Sequence, residues 1–248
     1  MKIISWNVNG LRSVVRKGFL EWINTEKPDI VCLQETKAQE TDLGWDLKQV
    51  GNYNSHFNSA EKKGYSGVAV YTLEKPISVK HKLGHKRFDK EGRILKLEFP
   101  KFILVNVYIP HGGRGKENLE YKLEVYTRLT KYLEKLKAKK LIIAGDFNIA
   151  HSEIDLARPK NNKNNIMFTP EERSRIDSFL KLGFSDTFRG FNKKRGNYTW
   201  WPYFANARER NLGWRIDYIF TSEGIKPKNA FILDKVYGSD HCPIGILI

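Results

Sequence analysis

The chain has 248 residues, 43 Lys and Arg against 28 Asp and Glu, and a net charge of +15. That length suits one large domain or two small ones with a substantial core, and 40% hydrophobic with 12% aromatic residues excludes a disordered chain. No run approaches the roughly 18 apolar residues of a membrane span, the opening MKIISWNVNG has none of the regions of a signal peptide, and Cys32 and Cys242 are too few for a disulfide framework or a thiolate zinc site.

In chain order, Ile3-Ile4-Ser5-Trp6 predicts a short strand that stops at the turn-rich Asn7-Val8-Asn9-Gly10. Leu11, Val14, Val15, Phe19 and Ile23 recur at three or four and predict one helix over 11–24, ended by Lys27-Pro28. The apolar run 29–33 reads as a buried strand with the polar exit Gln34-Glu35-Thr36. Strands follow at 67–72, 93–99 and 102–108, the last two joined at Pro100-Lys101 as an antiparallel hairpin. A helix over 118–137 carries Leu119, Leu123, Tyr126, Leu129, Leu133 and Leu136 on one stripe. It leads into the strand 141–144 and the exit Gly145-Asp146-Phe147-Asn148. Thr169-Pro170-Glu171-Glu172 opens a helix with an N-cap, a first-turn proline and a capping-box glutamate. Strands return at 198–201, 214–220 and 229–234, and the chain closes on 242–248. Many short strands with helices between only some of them predict layered sheets with helices outside. No linker composition divides the chain, so one domain over 1–248 is the simplest organisation.

Asn7, Glu35, Tyr108, Asp146 and Asn148 each fall at or just after the end of an apolar strand, Asp217 interrupts WRIDYIF, and Asp240-His241 precedes the last strand. An isolated strand-end Asp or Asn is usually a turn residue. Seven such ends, Glu and His among them, favour delivery of polar groups to one edge of the sheets. Glu35, Asp146, Asp217 and Asp240 with Asn and His form a hard-ligand set that suits magnesium or manganese and is poor for zinc. Phosphodiester cleavage needs a metal Lewis acid, an activated water and donors for the charge growing on phosphate. This inventory supplies all three. No GxSxG or GxxxxGK[ST] is present.

The positive surplus attracts polyanions, nucleic acid first. It is spread over 62–64, 81–90, 135–140, 158–165 and 192–195. The segment 158–165 combines basic and amide donors suited to backbone phosphates, against an ordinary loop as the plain alternative. From Tyr198 to Arg215 aromatic and basic residues alternate, which suits an apolar pocket beside phosphate contacts, although at least one of Trp200 and Trp201 is expected in the core.

WNVNGLR (6–12), PDIVCLQETK (28–37), NVYIP (106–110), GDFNIAHSEIDL (145–156), FTPEER (168–173), NAR (206–208), GWRIDYIF (213–220) and GSDHCP (238–243) together resemble the exonuclease III family of abasic-site endonucleases. GDFN and SDHCP alone resemble only the wider endonuclease/exonuclease/phosphatase superfamily. The resemblance implies an α/β (α+β) fold of DNase I-like type: a four-layer α/β sandwich, two mixed, mostly antiparallel sheets face to face with helices outside. It implies Glu35 as principal magnesium ligand with Asn7 and Asp240 beside it, the metal set extending to Asp146, Asn148 and His241. Asp146 would orient or deprotonate the attacking water, Asn148 and Tyr108 would hydrogen-bond the phosphate, and Asp217 would hold His241 against it. Trp200, Trp214 and Ile216 match a pocket for an extrahelical abasic deoxyribose, and Arg12, Arg114, Asn162, Asn165, Asn206 and Arg208 match DNA-touching positions.

His111 departs from the Asn that follows the tyrosine-loop proline in many members. Ile166-Met167 replaces a small Ala-Gly pair, either as a wedge into the duplex or as core. The implied activity is magnesium-dependent incision 5′ to abasic sites in duplex DNA, with 3′→5′ exonuclease and 3′-end trimming. The lack of a signal peptide or membrane span predicts an intracellular enzyme, and a monomer is the expectation for an oligomeric state that the sequence leaves open. A same-scaffold phosphatase for small or lipid phosphates and a non-catalytic DNA-binding relative stand as alternatives.

Overall fold

A computed structural model describes residues 1–248. Twelve strands make two six-stranded sheets: β1 Lys2–Asn7, β2 Ile30–Gln34, β3 Asn54–Asn58, β4 Val68–Thr72, β5 Ser78–Lys80, β6 Ile94–Glu98, β7 Ile103–Tyr108, β8 Leu141–Asp146, β9 Ser185–Asp186, β10 Asp217–Thr221, β11 Asn229–Ile232 and β12 Ile244–Leu247. Seven helices accompany them: α1 Leu11–Val15, α2 Phe19–Glu26, α3 Trp45–Lys48, α4 Lys86–Lys90, α5 Leu119–Glu134, α6 Pro170–Lys181 and α7 Thr187–Phe191. The first sheet has the order β11-β12-β1-β2-β4-β3 and the second β5-β6-β7-β8-β10-β9. Both are mixed, each with a single parallel pair near its centre, β1 with β2 and β7 with β8.

Central strands read as unbroken apolar runs because both of their faces are covered. Successive side chains point to opposite faces, so Ile103, Val105, Leu141 and Ile143 pack outward against Val125, Leu129 and Ile176 of α5 and α6. Leu104, Ile142 and Ala144 meet Ile3, Cys32, Val70 and Ile246 of the other sheet. Val31, Leu33 and Tyr71 face Leu11, Phe19 and Ile23 on the far side. Three apolar seams between four layers result, which is the sandwich that the motifs imply. Asn106 adds a polar rivet between the sheets. Its side-chain amide donates to the carbonyls of Leu33 at 3.0 Å and Ala69 at 2.9 Å, and Gln34 donates back to its Oδ1 at 2.7 Å.

Several predicted elements differ. The helix over 11–24 is two helices, because Gly18 takes φ +95° and turns the chain between α1 and α2. The strand expected at 198–201 is absent, and Trp200 makes only single bridges to Trp214 and His241. The strand expected from 214 begins at 217, so Asp217 opens β10 instead of interrupting it. The N-cap prediction at Thr169 holds: Thr169 accepts from Glu172 N, and the Glu172 side chain accepts from Thr169 N. No helix is long and apolar enough to cross a membrane.

Candidate active site

The topology explains why residues far apart in sequence meet. β1, β2, β7 and β8 run so that Asn7, Gln34, Tyr108 and Asp146 lie in register at one end of the two parallel pairs. β10 is antiparallel to β8, which places its first residue Asp217 opposite Asp146. β12 is antiparallel to β1, so the segment entering it carries Asp240 and His241 to the same rim. Gly145 makes the approach possible. At φ +153°, a Cβ there would lie 1.9 Å from the Val107 carbonyl oxygen, so only glycine lets β8 press close enough to set Asp146 beside Tyr108.

Two hydrogen-bonded groups share this rim. In the first, Asn7 Nδ2 donates to Asp146 Oδ2 at 2.9 Å, and the Asn148 backbone N–H donates to Asp146 Oδ1 at 2.8 Å. Asn148 Nδ2 reaches the Ile109 carbonyl at 2.9 Å and Asp146 Oδ2 at 3.3 Å. His241 Nε2 stands 4.0 Å from Asp146 Oδ2, while its Nδ1 is 2.9 Å from Asp217 Oδ2, which also accepts from the Thr199 hydroxyl at 2.6 Å. In the second group the Tyr108 hydroxyl donates to Glu35, Lys37 Nζ lies 2.9 Å from Glu35 Oε2, and Lys37 also donates to Asn9. Asp240 accepts from Asn9 Nδ2 at 2.9 Å and from Trp200 Nε1 at 3.0 Å. The groups join through Asn9, whose backbone N–H donates to Asn7 Oδ1 at 3.0 Å. Asn9, Glu35, Lys37 and Asn148 all have φ between +47° and +52°. Backbone conformations that L residues avoid gather where side chains must be aimed.

Electrostatics follow from the burial. Loss of water pushes the Asp146 carboxyl up to about 7, with the like charge of Asp217 adding to it. Burial works against a charged His241, but the Asp217 carboxylate outweighs it and holds the imidazole up to about 10. Burial and then the Glu35 charge drive the Tyr108 hydroxyl far above the ordinary phenol, and Asp146 contributes as well, so Tyr108 lies within the field of both carboxylates. Burial also opposes ionisation of Asp240, yet His241 and the Trp200 and Asn9 donors bring it below the usual carboxylate range.

Asp146, Asp217 and His241 offer three ligand atoms within 4.8 Å of one another and could hold a metal ion. Asp217 Oδ1 is buried with no hydrogen-bond partner, an unsatisfied anionic oxygen that a cation would neutralise. The donors are carboxylate oxygens with one imidazole, a set that fits a hard divalent cation. Of the other ligands implied by the resemblance, Asn7 and Asn148 lie in the same group. Glu35 and Asp240 lie in the adjoining one, where the Lys37 ammonium pairs with Glu35.

Beside the rim, Trp200, Trp214, Arg114, Asn162, Asn165 and His111 line a cavity of about 550 Å³ together with Ile166, Met167 and Phe204. Asn162 and Asn165 therefore bring one side of the segment 158–165, formed in part as a 3-10 turn over Pro159–Asn162, to the cavity wall. Ile166 and Met167 are both core and lining, packed with Ala150, Leu156, Phe168 and Ile216. Ile216 is 1% exposed and supports the tryptophans from beneath without facing the cavity. Trp201 is the tryptophan of the pair that enters the core.

Two residues matched to DNA contacts are engaged elsewhere. Arg208 lies between the rings of Trp201 and Tyr237, 4.7 and 4.4 Å from their centroids. Its guanidinium donates to the carbonyls of Ser239, Asp234 and Val236. It rivets the loop ahead of Asp240. Arg12 is exposed and donates to the Asp42 carbonyl at 2.9 Å. Asn206 is exposed in a second groove, with Lys17, Tyr203, Arg208 and Tyr237, that reaches Asp240. Sequence reasoning missed Thr199, Lys37, Asn9 and Arg93; the last places its guanidinium 4.4 Å from the Tyr108 ring and donates to the Tyr108 carbonyl. Lys37 and Asn9 lie inside the motifs quoted above. Thr199 and Arg93 carry no local signal.

The family profile described as Endonuclease/Exonuclease/phosphatase family matches residues 4–241. The chain belongs to the endonuclease/exonuclease/phosphatase family. Within that family it is 46% identical over 253 residues to an exodeoxyribonuclease of Bacillus subtilis (strain 168), across 100% of this chain and 99% of that protein. It is 44% identical over 255 residues to a DNA-(apurinic or apyrimidinic site) endonuclease of Dictyostelium discoideum, across 100% of this chain and 70% of that one. The structure of an AP endonuclease from Archaeoglobus fulgidus superposes with a TM-score of 0.93 at 30% identity, covering 100% of this chain and 99% of the other. The exonuclease III-type resemblance, the two-sheet fold and the reading as a hydrolase are borne out.

Proposed function

We propose that this endonuclease/exonuclease/phosphatase family member is a magnesium-dependent DNA-repair phosphodiesterase. It cleaves duplex DNA 5′ to abasic sites, leaving a 3′-hydroxyl and a 5′-deoxyribose phosphate, and it also trims 3′ ends. The observation that carries this reading is the junction of the Asp146–Asp217–His241 group with a tryptophan-lined cavity edged by Arg114. The full-length likeness to a protein named an exodeoxyribonuclease and to one named an AP endonuclease supports the same reading.

In the mechanism, Asp146 receives the proton of the attacking water; its raised pKa suits a base working near neutral pH. Asn7 and the Asn148 backbone fix the orientation of that carboxylate. His241, kept protonated and aimed by Asp217, presents Nε2 toward the scissile phosphate. Tyr108 donates to the same phosphate once its hydroxyl turns away from Glu35. A magnesium ion held by Glu35, Asn7 and Asp240, beside the Asp146 carboxylate, would supply Lewis-acid neutralisation of phosphate charge, while the protonated His241 would stay off the metal. Trp200 and Trp214 accept the extruded deoxyribose, and the apolar walls they form with Ile166, Met167 and Phe204 select by shape for a sugar without its base.

A series of matched duplexes decides it: abasic, uracil-containing, 3′-phosphate and blunt-ended, digested with magnesium and then with EDTA, with inositol phosphates alongside. Fastest turnover on the abasic duplex, abolished by EDTA, is expected. Faster turnover of inositol phosphates would make the chain a small-phosphate enzyme, and duplex binding with no cleavage would make it a binding module.

A further inference from the structure

Lys122 and Glu172 form an ion pair that reaches no solvent. Both side chains are 0% exposed, with Nζ and Oε1 2.5 Å apart. Lys122 lies on the buried face of α5 beside Val125, Tyr126 and Leu129, where the helical pattern calls for an apolar residue. Its ammonium donates to the carbonyls of Asn148 at 2.6 Å and His111 at 3.2 Å. Glu172 accepts from Thr169 N at 3.0 Å through Oε2, which completes the cap of α6, and from Met167 N at 3.0 Å through Oε1. The cap uses one carboxylate oxygen. The other oxygen, with the lysine, does something that the helix start does not require.

The pair ties together three separate loops: the one after β7 that carries His111, the one after β8 that carries Asn148, and the one before α6 that carries Met167. His111 and Met167 line the cavity, whereas Asn148 belongs to the Asp146 group. The first loop fits closely over the lysine. A Cβ on Gly112, at φ +97°, would come within 3.3 Å of Lys122 Cδ and 2.6 Å of Ile166 Cδ1. A buried ion pair seldom stabilises a fold more than apolar residues of the same volume do. An ammonium, however, fixes three acceptors in three directions at once, as no apolar side chain can.

We infer that Lys122–Glu172 is a positioning pair that locks the walls of the sugar cavity in register with Asn148. Filling of the cavity and alignment of the phosphate are thereby coupled, and the pair helps determine selectivity for an abasic deoxyribose over a plain 3′ end. The inference rests on the proposed roles of the cavity and of Asn148.

The test compares K122M/E172M, which keeps volume and removes both charges, with Lys122→Arg, Asn148→Ala and the wild-type enzyme. The readouts are thermal midpoint, kcat and KM on abasic and 3′-phosphate duplexes at saturating magnesium. We expect a folded double variant with KM little changed, kcat on abasic duplex lowered about 10²-fold, the loss typical of a misplaced reacting group, and a reduced preference for abasic over 3′-phosphate substrate. Lys122→Arg should recover most of the preference. A folded double variant with unchanged kcat and preference overturns the inference. Should the double variant fail to fold, Glu172→Gln is judged by the same two readouts. An Asn148→Ala enzyme of full activity would overturn the reading of Asn148 itself, an outcome separate from failure of the pair.

Discussion

Asp217 is where one side chain sets the chemistry of another. Its Oδ2 receives Thr199 and His241 together, and its charge keeps the buried imidazole protonated. Because the folded pKa of His241 is raised, its stabilising contribution is fully present below about 6.5. That contribution is lost as pH climbs through about 10. Asp217→Asn removes the dominant attractive charge, so the imidazole should lose its proton at lower pH. We expect kcat to fall by about 10²–10⁴ and the alkaline limb of its pH profile to move toward neutrality. A limb that stays in place would assign that ionisation to another group. Arg208, in the basic and aromatic stretch, is held by three carbonyls and two rings while it lines the groove beside Asp240.

Among elements, the segment 213–216 shows how a pocket edge is held without a strand. Arg215 is 1% exposed; its Nε donates to Asp155 at 2.7 Å, its Nη2 to Asp186 at 2.7 Å, and its backbone N–H to the Asp155 carbonyl at 2.6 Å. Arg189 adds two more bonds to Asp155 Oδ1. Burial opposes ionisation of Asp155, but the two guanidinium groups hold its carboxyl well below the usual range. Its contribution is therefore complete above about pH 4 and fades as pH falls further. Asp155→Asn should cost about 3–5 kcal/mol at neutral pH by taking from Arg189 its carboxylate partner and leaving the buried Arg215 with Asp186 alone. The gap from wild type should narrow below pH 4, which urea unfolding at pH 7, 5 and 3 would measure. The unpredicted strands β3, β5 and β9 share one cause. Each lies at a sheet edge, is short and mostly polar, and takes its conformation from a neighbour, not from an apolar face of its own.

At the scale of the molecule, the +15 charge is unevenly placed. The run 135–140 ends at the start of β8, while Asp146 stands at the other end of that strand, so those lysines lie away from the catalytic rim. Lys2, Lys90 and Lys139 are already paired with Glu26, Glu61 and Glu98. Arg114 and Lys116 beside the cavity remain to meet phosphate. Duplex affinity in EDTA should therefore fall at least about tenfold between 50 and 200 mM salt, the loss that accompanies two neutralised phosphates. A flat response would remove electrostatics from recognition.

The local sequence was sufficient for the central strands, the capped start of α6 and the polar residues at strand ends, because apolar periodicity, capping and turn chemistry act over a few neighbours. Only the tertiary structure decided which of those polar ends meet. Asn7 and Asp146 are 139 residues apart, and what joins them is the register of strands in two sheets packed face to face. The same holds for Lys122 and Glu172: a lysine amid the apolar face of a helix has no meaning in sequence until the loops whose carbonyls it gathers have come together around it.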